Sequence, residues 1–79
     1  MMTRYYFDLR DGDDLAIDEE GLEMPNLAAV REEAARTLAD MVRDSITGQN
    51  LDQIAVEVRD DNGPVLDGAF AWRLRRPNS

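Results

Sequence analysis

One stretch of helical period set between runs of strand period constrains this chain more than any other feature. From residue 27 onward Leu27, Val30, Ala34, Leu38, Met41 and Val42 recur three or four positions apart, and the row ends at Ile46. That spacing lays one apolar stripe along a helix. Before it, residues 3–10 alternate, with Tyr5, Phe7 and Leu9 on one side and Tyr6, Asp8 and Arg10 on the other. After it, residues 53–59 set Ile54, Val56 and Val58 against Ala55, Glu57 and Arg59, and residues 65–73 put Leu66, Gly68, Phe70 and Trp72 on one face, with Leu74 following. A period of two is the mark of a strand with one buried face. A single-striped helix must bury that stripe, and the apolar sheet face is its partner. The chain is therefore read as α+β: ββαββ, one helix packed on a four-stranded, mainly antiparallel sheet.

The punctuation between these runs agrees. Asp11-Gly12-Asp13-Asp14 is turn chemistry, since Gly and Asp tolerate the positive φ of tight hairpins. A short second strand follows over residues 15–18, with Leu15 and Ile17 expected to face inward. Glu19-Glu20-Gly21 breaks it, and Leu22 and Met24 are expected to return to the core. The helix is predicted over residues 27–47. Asn26 caps its start, because the side-chain oxygen accepts from free first-turn amides, and Gly48 ends it. Glu32 and Glu33 are expected to meet the positive end of the helix dipole, and Glu32 to pair with Arg36 one turn on. In Asp60-Asp61-Asn62-Gly63 the Asn-Gly step predicts a type I′ hairpin, with Pro64 just beyond it. The 79 residues make one domain, residues 1–74, followed by a polar tail at 75–79. A chain of this size has a thin core.

Composition narrows function by exclusion. There is no cysteine, so neither disulfides nor a thiolate metal site is available. No apolar run reaches the roughly 20 residues that span a bilayer. The first residues have no apolar signal core, so a cytoplasmic location is expected. The net charge is −8, from 17 acidic and 9 basic residues, and every basic residue is arginine. That field repels nucleic acid and anionic membranes and draws basic partners. Lacking histidine and lysine, and with its two serines at Ser45 and Ser79, the chain has no ordinary general base near neutrality and no Schiff-base nucleophile. Chemistry would have to rest on carboxylates, arginine, tyrosine or a hard metal ion.

No catalytic, cofactor-binding or metal-binding residue is assigned, and no cofactor or small-molecule ligand is inferred. Asp11, Asp13 and Asp14 are too close together for a twelve-residue calcium loop and read as a hairpin turn, as do Asp60, Asp61 and Asn62. Glu19 and Glu20 read as solvated loop charges. A divalent-metal or carboxylate-enzyme reading would require two or three of Asp8, Asp11, Asp13, Asp14, Glu19 and Glu20 to converge in a cleft. Base stacking on Tyr5, Tyr6 and Phe7 is opposed by alternation, which leaves Tyr6 alone outside, and by the charge. Arg73, Arg75 and Arg76 form a basic cluster near the end of the sequence. Tryptophan beside arginine is a recurrent interface anchor. The candidate interface is therefore Tyr6, Phe70, Trp72, Arg73 and Leu74. The expected role is a non-enzymatic interaction domain acting through protein contacts, with itself as a homodimer or with another protein. An antitoxin-like acidic partner of a basic protein is the alternative, and a carboxylate-dependent or divalent-metal protein the third.

Three motifs in order carry a resemblance: Arg4-Tyr5-Tyr6-Phe7-Asp8-Leu9-Arg10-Asp11-Gly12, then Asp18-Glu19-Glu20-Gly21-Leu22-Glu23-Met24-Pro25, then Asp60-Asp61-Asn62-Gly63-Pro64-Val65-Leu66. Over residues 4–70 the chain resembles a family of small uncharacterised alphaproteobacterial proteins, a domain of unknown function common in rhizobia and their relatives. The resemblance implies the ββαββ layout and a bacterial cytoplasm, and it brings no catalytic or binding residue. Many members carry a histidine where this chain has Asp8, so any role resting on that imidazole is missing here.

Overall fold

The computed structural model describes residues 1–44 and 53–69. In chain order the elements are β1 (Thr3–Asp11), β2 (Asp14–Ala16), β3 (Leu22–Met24), α1 (Leu27–Asp44), β4 (Ile54–Asp60) and β5 (Gly63–Ala69). The strands form one antiparallel sheet in the order β2-β1-β4-β5, and β3 also pairs with β1. The fold is α+β, with the expected ββαββ order augmented by the short β3.

The alternation in β1 and β4 locates the core. Tyr5, Phe7, Val56 and Val58 turn toward α1 and are buried with its Val30 and Ala34. Leu9, Met24, Leu38, Met41, Val65 and Leu66 pack around them, half-buried. At about 25 cal/mol per Å² of apolar surface, this small cluster is a main favourable term set against the chain's conformational entropy. Asn26 caps α1 as expected, its Oδ1 accepting the Ala29 amide at 2.9 Å. Glu32 does not pair with Arg36; Glu33 does, at 2.8 Å. The first helical turn holds no acidic side chain, so the dipole, which fades within one turn, gains nothing there. The expected helix end near Gly48 lies outside the described residues.

Four apolar expectations fail. Leu15, Ile17, Leu22 and Leu27 are 43%, 51%, 46% and 55% exposed. Leu15 fails because Asp11 pairs with Asp14, leaving a two-residue loop at Gly12-Asp13; that register sets Leu15 opposite Arg10, on the polar face. Ile17 lies past the end of β2, where strand pairing stops. Leu22 stands opposite Tyr5 on the helix side, but β3 is a three-residue strand at the edge of the sheet and Leu22 stays nearly half exposed there. Leu27 is the first residue of α1, beside that same short strand.

The second hairpin is displaced by one residue from the expected Asn62-Gly63 turn. Asp60 pairs with Gly63, so Asp61-Asn62 is the loop and Gly63, at φ 121°, opens β5. Pro64 then faces Arg59 and Leu66 faces Val58, which leaves Val65 as the extra residue of a β-bulge. The bulge lets consecutive residues, Val65 and Leu66, both pack on the core.

Candidate functional site

The sheet face away from α1 carries the polar half of each alternating run. Register places Asp8 opposite Glu57 and Glu57 opposite Asp67, a row of three carboxylates crossing β1, β4 and β5. Like charges directly opposite destabilise a sheet, and two arginines on the same face offset this. Arg59 Nε donates to Asp8 Oδ2 at 2.9 Å, and Arg10 Nε donates to Glu57 Oε2 at 3.0 Å. The Arg59 guanidinium also lies over the Tyr6 ring, 4.6 Å from its centroid, a cation–π contact. Its hydrogen bond to Asp8 pushes the Arg59 pKa further up. Asp8 is only 6% exposed although it is charged, and the arginine makes that burial tolerable.

Asp18 ties this cluster to the edge of the sheet. β3 pairs with β1 at Thr3, Arg4 and Tyr5, and β2 pairs with it at Leu9, Arg10 and Asp11. In between, the three β1 residues 6–8 face the five residues 17–21, so a continuous second strand is impossible. Asp18 fills the break. Its Oδ2 accepts the Phe7 amide at 3.0 Å, where a neighbouring strand would offer a carbonyl. Its Oδ1 accepts the amides of Glu20 at 3.1 Å and Gly21 at 3.0 Å, folding the loop into an Asx turn. The Asp18 amide donates to Asp8 Oδ1 at 2.9 Å, and its carbonyl accepts from Arg59 Nη2 at 3.0 Å. Partial burial pushes the Asp18 carboxyl up, but the Phe7, Gly21 and Glu20 amides and the Arg59 charge outweigh it and hold the carboxyl below its ordinary value.

Gly21 makes the turn possible. It sits at φ 73°, and a Cβ there would lie 2.9 Å from the Tyr5 carbonyl oxygen and from Arg4 Cγ. Among the described residues every buried polar side-chain atom has a hydrogen-bond partner.

Of the expected interface residues, Tyr6 stands on this polar face, half-buried under Arg59. Phe70, Trp72, Arg73 and Leu74 lie outside the described residues, as do Arg75 and Arg76. The six acidic residues weighed for a metal do not gather: among the described residues no three acidic side chains come together as an ion would require. Asp8 faces Arg59, while Asp11, Asp13, Asp14, Glu19 and Glu20 are exposed. Periodicity does not single out Asp18, and it sets Arg59 on the polar face without showing that it pairs with Asp8. The signal for Asp18 is local, an aspartate three residues before a glycine, the spacing of an Asx turn closed by a positive φ. The pairing of Arg59 has no comparable signal, because its partners are remote in sequence.

Among the described residues no helix is long and apolar enough to cross a membrane. No curated protein and no solved structure matches the chain. Residues 4–71 match the family model described as "Domain of unknown function (DUF6894)", a span that takes in the Asp8–Asp18–Arg59 cluster, α1 and the whole described sheet apart from Thr3, and the chain belongs to that family.

Proposed function

We propose that the chain is a non-enzymatic interaction domain of the cytoplasm, acting through protein contacts on the open face of the sheet, with a second copy of itself as its first partner. The observation that carries this reading is the row Asp8, Glu57 and Asp67 flanked by Arg10 and Arg59. Both charge signs lie side by side around a half-buried tyrosine. A face of that kind is self-complementary under a two-fold axis, where the more exposed Glu57 and Asp67 meet the other copy's Arg10 and Arg59. The test is sedimentation of the full chain at micromolar concentration. Twice the chain mass is expected, and Glu57→Arg, which alters the charge row without touching the core, is expected to shift it to the monomer. A monomer at every concentration, with no partner retained in a pull-down, overturns the reading.

The three aligned carboxylates and the net charge of −8 favour a second reading, an antitoxin-like acidic partner of a basic protein. Binding would then be to a small basic protein encoded beside it and would weaken steeply with salt. The absence of such a neighbour, or an affinity indifferent to ionic strength, removes that reading.

A further inference from the structure

Residues 14–24, comprising β2, the Asp18 turn and β3, form a strap along the edge of β1 away from β4. Little apolar burial holds it there. Every residue of β2 is exposed, and Leu15, Ile17 and Leu22 each leave two-fifths or more of their surface in water. Met24, at the end of the strap, is the residue that packs on the core. The remaining fastenings are polar. Phe7 donates to Asp18, Asp18 donates to Asp8, Arg59 Nη2 donates to the Asp18 carbonyl and Arg4 Nη1 donates to the Glu20 carbonyl at 2.6 Å. β1 itself does not depend on the strap. It is paired with β4 at six positions, and its Tyr5 and Phe7 side chains are in the core.

We infer that the strap is a releasable guard that opens as one unit while the helix and the β1-β4-β5 sheet stay folded, with Asp18 as its fastening. Regions with few buried apolar contacts and solvent-exposed backbone bonds open locally, at a smaller free energy than global unfolding. Opening bares the backbone donors and acceptors of β1 that point away from β4, the kind of edge to which another strand adds. Closed, the Asp18 carboxylate occupies the one stretch of that edge that no strand covers among the described residues. The fold would thus hold a strand-accepting edge in reserve, separate from the open face invoked above.

Native-state hydrogen exchange of the full chain across a urea series tests this. The Phe7, Glu20 and Gly21 amides are expected to exchange together through an opening only weakly dependent on urea, well before the Val56 and Val58 amides, whose opening free energy falls steeply with urea. Asp18→Ala removes three acceptor contacts and is expected to speed Phe7 exchange by about ten- to a hundredfold. Asp18→Asn, which keeps an acceptor oxygen, is expected to fall between. If wild-type strap amides share one urea isotherm with Val56 and Val58, there is no separate opening unit and the inference is wrong. An unchanged Phe7 rate in folded Asp18→Ala overturns Asp18 as the fastening.

Discussion

The two edges of β1 are held by different physics, and Phe7 belongs to both. Toward β4 the strand is paired at six positions, and its inward side chains join Val56 and Val58 in the core. On the other edge two three-residue strands flank a carboxylate, and most of their side chains are in water. The Phe7 ring is buried in the first region while its amide donates to Asp18 in the second. Burial therefore sets global stability, and charge-assisted hydrogen bonds set whether the outer edge is covered. The largest effect should come from breaking the first. Phe7→Ala keeps the amide and empties the core, and should cost about 3–5 kcal/mol in urea unfolding. A loss below about 1 kcal/mol would mean that the core is not where the stability lies.

The next effect should come from the strap. Gly21→Ala adds a Cβ at φ 73° within 2.9 Å of backbone, a clash no side-chain movement relieves. About 1–3 kcal/mol is expected, seen as lost protection of the Glu20 and Gly21 amides ahead of those of β4. Gly63 makes the contrast: its φ is 121°, but a Cβ there meets nothing within 4 Å, so Gly63→Ala carries the backbone strain without the clash. Equal losses at the two positions would show that close packing under the Asx turn contributes nothing.

Which parts were legible in the sequence follows from the same contrast. The alternation of Tyr5, Phe7 and Leu9 and of Ile54, Val56 and Val58 reports burial, and burial is what those segments do. The helix stripe reads correctly through Val30, Ala34, Leu38 and Met41, and fails at Leu27, the first residue of the helix, which stays more than half exposed while Val30 in the same turn is buried. The outer edge is illegible to the same method because its apolar residues do not mark the inside. Leu15 and Ile17 alternate like core residues, yet the two-residue loop at Gly12-Asp13 sets Leu15 on the polar face. The acidic row is half legible: alternation puts Asp8, Glu57 and Asp67 on one face, but side-by-side alignment depends on register and on the bulge at Val65. The Arg59 link to Asp8 joins residues 51 positions apart and leaves no local trace.

Acid should sharpen the contrast without a mutation. The Asp18 carboxyl is held below its ordinary value, so the folded state binds its proton less readily than the unfolded chain does. Its contribution is complete above the unfolded value, about pH 4, and is lost as pH falls through the lower folded value. Between neutrality and about pH 4 the strap should stay closed, and below that its amides should lose protection while β4 amides persist. Strap exchange indifferent to pH, after correction for the intrinsic rate, would break the link between the carboxylate and the closed edge.

The smallest effect should come from the ion pair that most resembles a fastening. Arg4 and Glu23 lie opposite each other on β1 and β3, with Arg4 Nη2 3.0 Å from Glu23 Oε2. Both side chains are about half exposed, so water and salt screen the attraction and ordering two long side chains offsets much of it. Glu23→Gln should change unfolding stability by no more than about 0.5 kcal/mol, with the difference vanishing in high salt. The Arg59–Asp8 pair has a similar distance, 2.9 Å, but its carboxylate is nearly buried, so Asp8→Ala should cost more than Glu23→Gln and persist in salt. Should the two substitutions prove equal, burial of the carboxylate would be irrelevant to how the edge is held, and the strap would be secured by the sum of its surface charges rather than by the desolvated cluster that Asp18 joins.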